Sequence, residues 1–139
     1  MKVIDVEGAV LGRISSQLAK ELLKGEKIVV VNAEKAVITG KMENIKAKYK
    51  QRIDRSDRAN PLKGPHFPRA PDTLFKRTIR GMIEYRTQRG KNAMRNLTVF
   101  IGVPTDYAGK TEKHAIRPPV HDYVTLLELC EKLGWRNRA

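Results

Sequence analysis

The side chains best suited to acid–base or metal chemistry in this chain, His66, His114 and His121 with Asp54 and Asp57, are spaced against it. The histidines stand in three separate stretches, the last two on either side of Pro118 and Pro119. No HExxH pair sets two imidazoles on one helix face, and no GxSxG elbow presents a serine nucleophile. Asp54 and Asp57 are embedded among Arg52, Arg55 and Arg58. That field favours ionised carboxylates over a poised acid, so local ion pairing in a solvated loop is their expected role. A single cysteine, Cys130, excludes an internal disulfide and leaves too few thiols for a structural zinc site, which suits a reducing cytosol.

Phosphate chemistry has three candidate carriers. Gly8 and Gly12 bracket the expected start of a helix, where free backbone amides gather. A dinucleotide fingerprint needs GxGxxG and an acidic residue about 20 positions on, whereas these glycines are four apart with Val10 and Leu11 between them. A tight turn and close helix packing are the expected reasons for them. The run Ile38-Thr39-Gly40-Lys41 contains a Gly-Lys but lacks the upstream glycine and the following Ser or Thr of a phosphate loop.

The third carrier is charge. Of a net charge of +13, residues 41 to 95 carry +11, with 16 Lys and Arg against 5 Asp and Glu; each flank has 6 against 5. So many like charges repel one another, and the surplus is tolerable mainly where a polyanion cancels it. Arginine dominates from Arg52 onward, and its planar fork suits bidentate phosphate contacts and base stacking. His66, Phe67 and Tyr85 are interleaved for stacking on unpaired bases, and Gly64, Gly81 and Gly90 are expected to allow close backbone approach. Nucleic acid is the partner this pattern points to; composition does not separate RNA from DNA.

These groups need a scaffold, and 139 residues supply one α/β domain. Val3 to Val6 reads as a strand, and Leu11, Ile14, Leu18 and Leu22 recur at helical spacing up to a stop at Gly25. Lys27 to Asn32 reads as a second strand whose unbroken apolar run implies cover on both faces, giving a βαβ unit. Ala36 to Thr39 reads as a third strand, Lys41 to Gln51 as a lysine-rich helix and Leu97 to Ile101 as a last strand. Thr125 and Glu128 have capping-box spacing, with Val124 and Leu129 placed for a hydrophobic staple ahead of the stripe Leu126, Leu127, Cys130, Leu133. Cys130 is expected to be a small core residue. The longest apolar run, Ile28 to Val31, is far short of a membrane helix, and no signal-type N-terminus is present.

Between Arg52 and Asp72 stand four of the seven prolines and few large apolar residues, so a long basic loop is expected there, mobile on its own. Pro65, Pro68 and Pro71 fall along one edge of a polyproline II helix, the form read by SH3 and WW modules. Flanked by charge, the segment is expected to be a stiff arm instead. Beyond it Leu74, Phe75, Ile79, Met82 and Ile83 form an apolar helix face opposite Lys76, Arg77 and Arg80.

Three blocks, Gly12-Arg13-Ile14, NAEKAVITGK from Asn32 to Lys41 and RGMIEYRTQRGKNAM from Arg80 to Met94, resemble the family of the thirteenth protein of the large ribosomal subunit, in its archaeal and eukaryotic branch. The resemblance spans nearly the whole chain. It implies a non-enzymatic, cofactor-free constituent of the cytoplasmic large subunit that binds 23S-type ribosomal RNA early in assembly beside neighbouring ribosomal proteins, with no membrane or small-molecule substrate. It also implies a three-layer α/β/α fold around a small, mostly parallel sheet of about four strands.

By the resemblance, the RNA contacts are Arg13, Lys41, the Arg80 block with Arg86, and the Arg89-Gly90-Lys91 turn. By charge, Lys46, Lys48, Lys50, Arg52, Arg55, Arg58, Lys63, His66, Arg69, Lys76, Arg77 and Arg95 join them. Glu84 and Gln88 stand where the family commonly has proline, and glutamate permits another helical turn before Tyr85 and Arg86. Two other classes remain in play on the residues alone: a nucleotide-binding enzyme using the Gly8–Gly12 turn, and an adaptor read through Pro65 to Pro71.

Overall fold

Four β-branched residues in a row, Ile28 to Val31, are all buried, as a central strand of a parallel sheet requires. The computed structural model describes residues 1–113, 119 and 121–136, so His114 lies outside the described residues. In chain order the elements are β1 (Lys2–Asp5), α1 (Leu11–Leu23), β2 (Ile28–Val31), β3 (Val37–Thr39), α2 (Met42–Ile53), α3 (Pro71–Arg80), α4 (Gln88–Arg95), β4 (Leu97–Val99), β5 (Glu112–Lys113), β6 (Tyr123–Thr125) and α5 (Leu126–Lys132).

The main sheet has the order β4-β2-β1-β5 and is parallel throughout, with Val3 opposite Val29 and Ile4 opposite Val30. One face packs Ile4, Ile28, Val30, Leu97 and Val99 against apolar side chains of three helices: Ile14, Leu18 and Leu22 of α1, Phe75 and Ile79 of α3, Leu126 and Cys130 of α5. The apolar residues of α1, spaced three and four apart, bury on this side and leave Arg13, Gln17 and Lys20 exposed. On the opposite face Val3, Val29 and Val31 pack with Phe100 and Tyr107, whose ring centroids are 5.8 Å apart. The α/β class and the small parallel sheet agree with the expectation.

The third strand departs from it. β3 pairs antiparallel with β6, Ile38 opposite Val124, as a separate two-stranded sheet. A bridge between Val10 and Val37 ties it to the start of α1. Ile45 of α2, Val124, and Leu129 and Leu133 of α5 close a second small core with Ile38, Met42, Tyr49 and Ile53 packed against it. Thr125 and Glu128 form the reciprocal capping box that opens α5.

At the ends of β1 and β2, Asn32 adopts a left-handed backbone (φ 56) and its Nδ2 donates to Asp5 Oδ1 at 2.9 Å. The same oxygen accepts the Glu7 amide at 3.1 Å, so the buried carboxylate is satisfied locally.

Candidate nucleic-acid interface

On α2 the inward residues Met42, Ile45, Tyr49 and Ile53 recur at helical spacing, which leaves the intervening cations outside. Lys41, Lys46, Lys48 and Lys50 are exposed; Arg52 is half-buried, its guanidinium 5.4 Å from the Tyr49 ring centroid. Burial raises the Tyr49 hydroxyl pKa, and the Arg52 charge opposes that shift. Tyr49 was not among the expected stacking residues. Its signal was present as Tyr and Arg three apart on a helix, a spacing at which side chains meet.

The loop between α2 and α3 carries Arg55, Arg58, Lys63, His66 and Arg69, all exposed. It is not without local structure. Asn60 accepts the Leu62 amide at 3.2 Å and starts a 3-10 turn at Pro61–Lys63. Pro71 is buried at the first turn of α3, where a missing N–H costs nothing, so it belongs to the helix rather than to a polyproline edge. Asp54 and Asp57 do not form the expected ion pairs. Asp57 instead accepts the Ala59 amide at 3.0 Å in a local turn.

The outward face of α3 is built onto this loop. Arg77 Nη1 donates to the His66 carbonyl at 2.9 Å, and its guanidinium lies 4.2 Å from the Phe67 ring centroid. Arg80 lies 4.1 Å from the Tyr85 ring centroid. Lys76 is half-buried. His66, Arg77, Arg80, Tyr85 and Arg86 line one open cleft. Arginines placed over rings are partly ordered in advance, so less entropy is lost when they meet phosphate or a base.

After α3 the chain turns from Gly81 to Arg86 and enters α4, with Thr87 accepting the Gly90 amide as N-cap. Arg89, Gly90 and Lys91 thus lie in the first turns of a helix, not in a turn between elements. Gly90 and Gly64 do allow close backbone approach, but to their own chain. A β-carbon at Gly90 would meet the Glu84 carbonyl and one at Gly64 the Asp57 amide. Arg89 also has an internal partner, donating to the Leu23 carbonyl at the end of α1 at 3.1 Å. Lys91 and Arg95 are exposed on α4, and Arg13 on the first turn of α1.

Among the described residues the ion pairs are Lys2 with Glu21 and Glu26, and Lys35 with Glu7. Every cation in them lies outside residues 41–95. Among the described residues, none of the cations of the basic block is held in an ion pair by its own fold. Among the described residues no group of His, Cys, Asp and Glu is placed to hold a metal ion, and no helix is long and apolar enough to cross a membrane.

The family model described as ribosomal protein L13 matches residues 1–106. The chain belongs to the ribosomal protein L13 family. It is 49% identical over 140 residues to the large ribosomal subunit protein uL13 of Archaeoglobus fulgidus, covering 96% of this chain and 88% of that one. It is 45% identical to its counterpart in Methanopyrus kandleri (96% and 87% covered) and 43% to that in Methanocaldococcus jannaschii (96% and 98% covered). These relatives are named as proteins of the large ribosomal subunit, which agrees with the non-enzymatic reading.

The two departures from the family pattern now have a physical reading. Glu84 does not add a helical turn: α3 ends at Arg80, and Glu84 sits in the following turn, its carbonyl accepting from the Thr87 amide and hydroxyl. Gln88 occupies the first position of α4, where proline is also welcome. Proline is required at neither position for this backbone path.

Proposed function

We propose that this protein is a structural constituent of the large ribosomal subunit in the cytoplasm that binds large-subunit ribosomal RNA and supports subunit assembly. The observation that carries the reading is the uncompensated basic block. Sixteen Lys and Arg run from the N-cap of α2 through the loop, α3 and the turn after it to α4, and none of them joins an ion pair among the described residues. Phosphate neutralisation with counterion release supplies the affinity. The ring-backed arginines Arg52, Arg77 and Arg80 give it shape and stacking selectivity.

The names of the archaeal relatives support the same assignment, and neighbouring ribosomal proteins are the expected protein partners. The test is sedimentation of a cell extract: the protein travels with the large subunit at moderate salt and leaves it only at high salt. Recovery as free protein at moderate salt contradicts the proposal.

A further inference from the structure

One groove is not accounted for by the fold. It lies between the start of α1, the end of α2, the loop at Phe67 and α3, with a volume of about 540 Å³. That falls within the size range of small-molecule sites. Its walls are apolar at Val10, Tyr49, Phe67 and Met82, and among the described residues its only charged lining groups are Arg52 and Arg77. Among the described residues no carboxylate lines it. Met82 is 43% exposed there although it is a large apolar side chain.

Gly12 borders the same groove. It opens onto the groove, has no positive φ, and a β-carbon built on it would have nothing within 4 Å. Neither turn geometry nor helix packing requires glycine at this position, in contrast to Gly8, whose φ is +70. Gly12 belongs to the lining of the groove, and nothing in the fold would resist a side chain placed there.

We infer that this groove receives a single unstacked nucleobase of the bound RNA, with Arg52 and Arg77 at its rim meeting the flanking phosphates. The inference rests on the RNA-binding reading above and adds where an unpaired nucleotide is read. A planar base has large apolar faces and a polar edge, and its backbone supplies the anions the two guanidiniums lack. Both arginines are already placed, one on the Tyr49 ring and one on the Phe67 ring and the His66 carbonyl.

The test compares the wild type with Gly12→Leu and Gly12→Ala on two probes: an in vitro transcript of the large-subunit RNA and a fully paired RNA duplex. Both variants improve helix propensity at an open position and keep every cation, so melting temperature is held or raised. Gly12→Leu lowers affinity for the transcript about tenfold, the scale of one lost base-stacking contact; Gly12→Ala lowers it less, and duplex binding is unchanged. If Gly12→Leu binds the transcript as tightly as wild type while Arg80→Glu weakens it, the groove does not take a base, and another occupant such as an acidic protein segment replaces it. If Arg80→Glu also leaves transcript binding intact, the RNA-binding reading itself falls.

Discussion

Gly90 rests directly on the backbone of Glu84: a β-carbon on Gly90 would stand 2.6 Å from the Glu84 carbonyl carbon and 3.0 Å from Tyr85 Cα. This contact docks α4 onto the turn that presents Tyr85 and Arg86, so the cationic surface depends on a residue with no side chain. Gly90→Ala must displace backbone and is expected to cost about 1–3 kcal/mol, as overpacking does. The midpoint of urea unfolding measures this, and an unshifted midpoint contradicts the packing. RNA affinity should fall with it, because the turn moves.

Arg80 and Arg89 separate binding from stability. Arg80 is exposed and stacks on Tyr85, so Arg80→Ala should change stability by less than about 1 kcal/mol while weakening RNA binding. Arg89 satisfies the Leu23 carbonyl at the end of α1, and Arg89→Ala should cost about 0.5–1.5 kcal/mol besides any RNA effect. Denaturation and filter binding on the same two variants read both effects; a larger stability loss for Arg80→Ala than for Arg89→Ala contradicts the assignment.

Ser15 has a fully buried hydroxyl without a hydrogen-bond partner among the described residues. Replacing it with alanine removes an unsatisfied group and favours the helix, so Ser15→Ala is expected to stabilise the protein by about 1 kcal/mol and to leave RNA binding unchanged. A lower melting temperature would show that the hydroxyl is satisfied in solution.

Cys130 is enclosed in the core, and burial pushes its thiol from 9.0 up to about 12. Folded protein at mildly alkaline pH should resist a thiol-alkylating reagent and react on unfolding. The folded pKa is raised, so the neutral thiol's contribution to stability is full below pH 9.0 and declines as pH rises toward about 12. Cys130→Ala should flatten the part of the alkaline stability loss that this thiol causes. Rapid alkylation of native protein would contradict the burial.

The βαβ start and the capping box of α5 were legible because their apolar residues carry a clear period or a paired side-chain signal. α4 was not. Its buried positions are Gly90 and Ala93, which give no hydrophobic stripe, since the helix packs through close backbone approach rather than large side chains. The β3–β6 pairing was hidden for a different reason: β6 is three residues long and its partner lies far away in sequence. For the candidate site, charge alone located the basic residues. It did not show that Asp54 and Asp57 would leave those cations unpaired, that Arg89 has an internal partner, or that rings would hold Arg52, Arg77 and Arg80 in place.

The most direct test of the account is the salt dependence of binding to a large-subunit RNA transcript. If about eight of the cations between residues 41 and 95 engage phosphate, log affinity falls linearly with log salt at a slope of about −6 to −7. A near-flat dependence would mean that the uncompensated basic surface is not what holds the RNA.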